Sequence, residues 1–302
     1  MDILTIVLPV FLLIALGVFL RSKNIINEHS SDLLNKLAYN LALPALLFGS
    51  IVQFRINELF NWQTIAAFYI TILVILVVAY FMTLRQPSKT RTAFNMSVIH
   101  SNLVYFAFPL ILGAYGQLGL AKASIIVAFV SPFANMLSII ILSRNASIKQ
   151  SSKSQILQVI KDPLFLSCVL GIIVAYFAII LPVAVTSTLG IIGGMALPIA
   201  LLSIGAKIRL EKIMHSIGLN MQAVLLKLFL MPLICFLLLK YLFDVPALDF
   251  KLAILLAAMP VAVSTYVLAH NWNSDSDLVA AEIVLTTLLA LITVPLFFVM
   301  FP

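Results

Sequence analysis

Apolar runs of about 20 residues follow one another along almost the whole chain, separated by short polar connections, and that is the length that crosses a ~30 Å hydrocarbon layer as a helix. Ten such runs stand out, at roughly 3–21, 31–52, 62–84, 93–115, 118–142, 163–182, 184–207, 217–241, 247–269 and 277–300. The period-two alternation of a transmembrane barrel is absent. The pattern therefore predicts an all-α integral membrane protein with ten transmembrane helices. One connection is long: "SRNASIKQSSKSQILQVIKD", residues 143–162, is polar and basic and reads as a solvated linker near the middle of the chain. The first run, in "MDILTIVLPVFLLIALGVFLRSKN", has its basic residues after the apolar stretch and no small-residue cleavage site, so it is expected to stay as the first helix.

The two sides of the linker resemble each other. Pro9 and Pro163 are 154 residues apart, as are Gly17 and Gly171, and as are the "ALP" triplets at 42–44 and 196–198. The same offset carries the third, fourth and fifth runs onto the eighth, ninth and tenth. A five-helix unit is thus expected twice, at 1–142 and 163–302, flanking the linker at 143–162. Because five is odd, the second copy must enter the membrane upside down, giving two inverted five-helix repeats as in many secondary transporters.

Composition agrees with this and narrows the class. Of the 302 residues, 63% are hydrophobic and 10% charged, with a mean hydropathy of +1.17, which leaves no room for a soluble domain. Basic residues concentrate in the odd-numbered connections (Arg21, Lys23, Arg85, Lys89, Arg91, Arg144, Lys149, Lys153, Lys161, Lys207, Arg209 and Lys212), while the even ones hold little beyond Arg55, Lys122, Lys240 and Lys251. By the positive-inside rule the odd loops face the cytoplasm and both termini lie outside, in the periplasm of a bacterial inner membrane. The net charge of +7 mostly reflects this asymmetry and does not point to nucleic acid. Cys168 and Cys235 lie inside apolar runs and read as small core hydrophobes.

Two runs carry features that lipid-spanning helices ordinarily avoid. Pro109 in "SNLVYFAFPL" should break the fourth run near its middle, and Pro260 in "LLAAMPVAVSTYVLAHNW" should break the ninth, its repeat mate. A break at membrane depth is tolerated where it lines a cavity or is buried in protein. The half-helix that follows presents free N–H groups and a positive dipole end, which attract anions. Ser101 and Asn102, about two turns before Pro109, and Ser264, Thr265 and Tyr266, just after Pro260, complete a candidate carboxylate cradle. The structural alternative is a pair of kinked packing helices whose Asn bonds a neighbour.

At these residues a family resemblance appears. "LPVFLLIALGVFLRSKNIINEHSSDLLNKLAYNLALPALLF", Asn102 seven residues before Pro109, "GGMALPIALLSIGAKI" at 193–208 and "AAMPVAVSTYVLAHNW" at 257–272 resemble the auxin efflux carrier family, with its bacterial malate and malonate permeases and plant PIN-formed carriers. The resemblance covers essentially the whole chain. It implies ten helices in two inverted repeats, crossing broken helices four and nine, and carriage of organic anions. Where many members are small and glycine-rich after the Asn, this chain has "LVYFAF", so Tyr105 and Phe106 put bulk at the presumed crossover.

Three ionisable residues within the runs are candidates for coupling, because an unpaired buried charge is costly. Lys227 lies near the middle of the eighth run, Glu282 in the first two turns of the tenth, and His100 two residues before Asn102. Each has a bland alternative: Lys227 and Glu282 can snorkel or form a structural pair, and His100 can simply pack. Asn40 and Asn135 read as interhelical hydrogen-bonding groups or site liners. No ATP-binding loop, HExxH or GxSxG pattern is present, and His29, His100, His215 and His270 form no close metal motif. The leading expectation is a secondary carrier of small mono- or dicarboxylates that needs no cofactor or metal, with a sodium-coupled symporter of the bile-acid type as the alternative and a membrane sensor behind it. Its expected partners are the organic anion, membrane lipid and a second copy of the chain.

Overall fold

The computed structural model describes residues 3–143, 161–207 and 216–301, and all regular structure among them is helical. Most of the linker, with Arg209, Lys212 and His215, lies outside the described residues. In chain order the helices are α1 (Ile3–Ser22), α2 (Glu28–Leu37), α3 (Leu43–Ile51), α4 (Ile56–Leu59), α5 (Trp62–Met82), α6 (Ser88–Ile99) and α7 (Ala107–Ser143). After the linker come α8 (Pro163–Tyr176), α9 (Val183–Gly194), α10 (Ala196–Lys207), α11 (Ile217–Val224), α12 (Met231–Tyr241), α13 (Ala247–Ala257), α14 (Ser264–Asn271) and α15 (Ser276–Met300). Single π-helical turns join α2 to α3 at Ala38–Ala42 and α11 to α12 at Leu225–Leu230.

Six helical stretches among the described residues are long and apolar enough to cross a membrane: Thr5–Ser22, Trp62–Met82, Ala107–Ser143, Val183–Lys207, Ile217–Tyr241 and Ser276–Met300. They are apolar around their circumference, with Leu12, Val77 and Ile292 all more than half exposed, as suits an outer surface that faces lipid rather than water. The long α7 is interrupted at Gly116, whose φ of 63° falls in the left-handed region that glycine adopts without a Cβ penalty. That break separates the fourth run from the fifth where the sequence pattern expected it. The sixth run is shorter than expected: α8 stops at Tyr176, and Ala178 turns the chain with a φ of 50°.

The chain divides into two compact units, each drawing on both halves of the sequence. One comprises Met1–Phe60, Val104–Ala128 and Gln158–Ile208. In it α1 packs along α10 with backbone against backbone: a Cβ on Gly17 would strike the Leu202 carbonyl oxygen, and one on Gly205 the Ile14 oxygen. Small residues at such a crossing let membrane helices gain close van der Waals contact. The Arg21 guanidinium donates to the Ala206 carbonyl, and Lys207 pairs with Asp32 at 3.0 Å. Asp162 caps α8, its Oδ1 accepting from the N–H groups of Leu164 and Phe165 (2.9 and 3.0 Å), while its other oxygen takes the Tyr39 hydroxyl.

The other unit comprises Asn61–Leu103, Phe129–Leu157 and Arg209–Pro302. Here α5 packs on α6, α12 and α13, and α15 packs on α6, α11 and α14. Asn61 and Asp275 cap α5 and α15, and Thr90 donates to the second Asp275 oxygen at 3.0 Å. Both cysteines are buried free thiols, as their apolar settings suggested.

Candidate functional site

The site begins with two interruptions of helix, whose residues 100–102 and 260–262 both belong to the second unit. The fourth run is helical to Ile99 and again from Ala107; the ninth is helical to Ala257 and again from Ser264. Proline explains both gaps. In a continuous helix the Pro109 ring would collide with the Tyr105 carbonyl, and Pro260 would leave the Leu256 carbonyl without its donor. The break in the fourth run consequently lies ahead of its proline, with Pro109 in the first turn of the following helix, whereas Pro260 sits inside its own break.

Buried backbone freed from a helix must find partners, and here the two breaks satisfy one another. Ser101 and Val261 form an antiparallel bridge. The Asn102 N–H donates to the Pro260 carbonyl at 2.8 Å, and the Ala262 N–H to the His100 carbonyl at 3.0 Å. The Val261 N–H is taken by a side chain, donating to Thr286 Oγ1 at 3.1 Å.

Side chains then give the crossing its polar groups. Lys227, in the π-turn at 225–230, is fully buried, and its Nζ donates to Ser101 Oγ at 2.5 Å and to Met231 Sδ at 3.2 Å. Those contacts occupy two of the ammonium's three protons. Asn102 is buried next to Ser101, and its amide Nδ2 has no partner. His100 is buried with Nδ1 3.4 Å from Ser138 Oγ, beside a small cavity that Phe68, Ile72, Ser101, Ser131 and Ala134 also line. The result is a buried lysine amine, reaching in from the π-turn, and an unspent amide donor on the extended segment, donors that an anionic group could accept from.

Glu282 is also fully buried, on α15, and neither carboxyl oxygen has a hydrogen-bond partner. Ser97 on α6 comes near it, yet the Ser97 hydroxyl donates to the Phe94 carbonyl at 2.9 Å. Lys227 and Glu282 are therefore not a structural ion pair. One turn beyond Glu282, the Thr286 hydroxyl donates to the Glu282 carbonyl at 2.7 Å while receiving the Val261 N–H.

The remaining expected site residues fall elsewhere. Ser264 is exposed, and Thr265 spends both its hydroxyl (2.5 Å) and its N–H (3.1 Å) on the Ala262 carbonyl. The Tyr266 N–H donates to Val263 at 3.3 Å and its ring stacks on His270. The Thr265 and Tyr266 N–H groups in the first turn of α14 are thus used internally. Tyr105 and Pro109 belong to the first unit, where the Tyr105 hydroxyl is buried without a partner and Phe106 packs edge-on against Phe11 at 5.7 Å. Asn40 is exposed and caps back onto the Lys36 carbonyl. Thr286, Met231 and Ser138 were not anticipated from the sequence. Glu282 and Thr286 are four apart and so share a helix face, as do Lys227 and Met231, and that spacing was the available signal.

A family model described as membrane transport protein matches residues 2–298. The chain belongs to that family. This transporter is 26% identical over 294 residues to an "Uncharacterized transporter" of Methanothermobacter thermautotrophicus, covering 96% of this chain and 95% of the relative. It is 25% identical over 307 residues to a "Putative malonate transporter" of Rhizobium meliloti, covering 97% and 94% of the two chains. The "Uncharacterized transporter YfdV" of Escherichia coli is 24% identical over 303 residues, covering 96% and 94%. The resemblance to the auxin efflux carrier family extends over nearly the whole chain. Together with its long apolar helices, this makes the transporter a multi-pass membrane protein.

Proposed function

We propose that the protein is a secondary carrier that moves small organic anions, mono- or dicarboxylates, across the bacterial inner membrane by exposing one site alternately to each side. The observation that carries the reading is the Lys227 ammonium, buried on Ser101 beside the unpaired Asn102 amide in the crossing of the two breaks. A fully buried ammonium with only neutral partners costs several kcal/mol. A carboxylate bound at Ser101 and Asn102 offsets that cost. Malonate, named for the Rhizobium meliloti relative, has this chemistry and is the first substrate to try.

In this reading the chain forms ten transmembrane helices as inverted repeats at 1–142 and 163–302, joined by a cytoplasmic linker at 143–162, with both termini periplasmic. A C-terminal reporter active only in the periplasm is expected to be active, and activity of a cytoplasm-only reporter overturns the orientation. Glu282 is the coupling group: a carboxyl with no donor is held most cheaply when a proton travels with it. Carrying that proton with the anion also removes part of the charge moved, which costs about 2.3 kcal/mol per elementary charge per 100 mV of opposing potential.

The test is uptake into proteoliposomes of a panel of carboxylic acids that includes malonate, with pH and sodium gradients imposed separately. Accumulation that follows the pH gradient supports the reading. Accumulation that follows only sodium replaces proton coupling with the sodium-coupled alternative, and no uptake of any carboxylate removes the anion assignment.

A further inference from the structure

We infer that Thr286 is a positioning residue that clasps the helix of Glu282 to the backbone of the crossing, so that a change at Glu282 is felt at Val261. The inference rests on the coupling role proposed for Glu282. Its geometry is independent of that role.

A break in a buried helix leaves N–H groups that need acceptors. Among the crossing residues 100–102 and 260–262, two N–H groups, those of Asn102 and Ala262, donate across the pair of segments, and the Val261 N–H between them donates to Thr286 Oγ1 at 3.1 Å. Thr286 is fully buried and its own proton goes to the Glu282 carbonyl at 2.7 Å. One hydroxyl therefore joins the first turns of α15 to the middle of the break, through an acceptor bond on one side and a donor bond on the other. Val261 is also the residue that bridges to Ser101, which carries the Lys227 ammonium. A continuous chain of hydrogen bonds and backbone thus runs from the Glu282 turn through Thr286, Val261 and Ser101 to Lys227.

Only an acceptor at position 286 serves this purpose. Thr286→Val keeps the branched shape but strands the Val261 N–H in a dry interior, whereas Thr286→Ser keeps the hydroxyl and loses one methyl group. Valine is nearly isosteric with threonine, so a purely packing role predicts that the Val variant behaves as well as the Ser variant.

The test is hydrogen exchange of the segment containing Val261 in the full-length protein in lipid nanodiscs, read by mass spectrometry and requiring no substrate. Wild type, Thr286→Ser, Thr286→Val, Glu282→Gln and the Glu282→Gln/Thr286→Val double variant are compared. Thr286→Val is expected to speed exchange at the crossing tenfold or more, with Thr286→Ser near wild type. Glu282→Gln is expected to change exchange there severalfold in the wild-type background and not in the Thr286→Val background. Equal protection in the Val and Ser variants overturns the clasp, and additive effects of the two substitutions overturn the link to Glu282. If Thr286→Val does not fold, Thr286→Ala and the Ser variant make the same comparison. A failed carboxylate uptake panel with this coupling intact removes the proposed cargo and leaves the clasp; the reverse result removes only the clasp.

Discussion

The two breaks that meet in the second unit are made of different material. The segment from the fourth run contributes His100, Ser101 and Asn102, three polar side chains in a row, all buried. The segment from the ninth contributes Ala258, Met259, Pro260, Val261 and Ala262, all apolar and buried, and its hydrogen bonds to its partner come from backbone groups. On the proposed reading the first break carries the recognition chemistry, and the second, through its backbone bonds, braces it. The sequence pattern suggests one cradle that draws polar residues from near both prolines. The structure instead spends the polar residues after Pro260 on local bonds, with Ser264 exposed and Thr265 turned back onto Ala262.

This asymmetry can be broken most forcefully at the charge. Lys227→Met is expected to abolish uptake while the protein still inserts and unfolds at a temperature no lower than wild type, because replacing a buried ion by an apolar residue of similar volume is often neutral or stabilising. Proteoliposome uptake and a thermal unfolding scan decide this, and substantial uptake in the variant would move recognition away from the first break. Next, replacing both Pro109 and Pro260 by Ala removes the steric and donor defects that keep the spans broken. Transport is expected to collapse with helical content by circular dichroism unchanged or slightly raised; full activity would reduce both prolines to packing kinks.

Within the polar break, Asn102→Ala is expected to weaken carboxylate binding by about ten- to a hundredfold, since a hydrogen bond to a charged acceptor is worth about 1.5–3 kcal/mol. A binding titration of the purified variant that matches wild type would take Asn102 out of the site. Glu282→Gln leaves the recognition segment untouched and is expected to preserve substrate exchange while losing accumulation driven by a pH gradient, measured by counterflow and by net uptake on the same vesicles. The smallest effect is expected at Ser264→Ala, with transport unchanged and stability within about 0.5 kcal/mol, as for other exposed positions. A large loss there would restore the brace to a share of the recognition.

Several local features were legible before the fold. The existence of both breaks followed from Pro109 and Pro260, because a missing N–H and a ring clash are properties of the residue itself. The isolation of Cys168 and Cys235 followed from their apolar neighbours. Less legible was the position of the first break, at 100–106 rather than at the proline, because Pro109 is compatible with the first turn of a helix and forbids only what precedes it. The bulk of Tyr105 and Phe106 was legible, but not that the Phe106 ring packs edge-on against Phe11.

What the sequence alone determined is the class of molecule: apolar runs long enough for a bilayer, connections too short for other domains, and backbone that must bond within each segment leave a helical membrane protein as the available solution. Only the tertiary structure decided which polar residues meet. Lys227 lies 126 positions from Ser101, and their contact depends on the rotation and depth of separate helices, which hydropathy does not encode. The same packing kept Glu282 apart from Lys227 and tied its helix to Val261 through Thr286. A span's length is a sum over its own residues, whereas the facing of one side chain toward another is set by helices packed far apart in sequence.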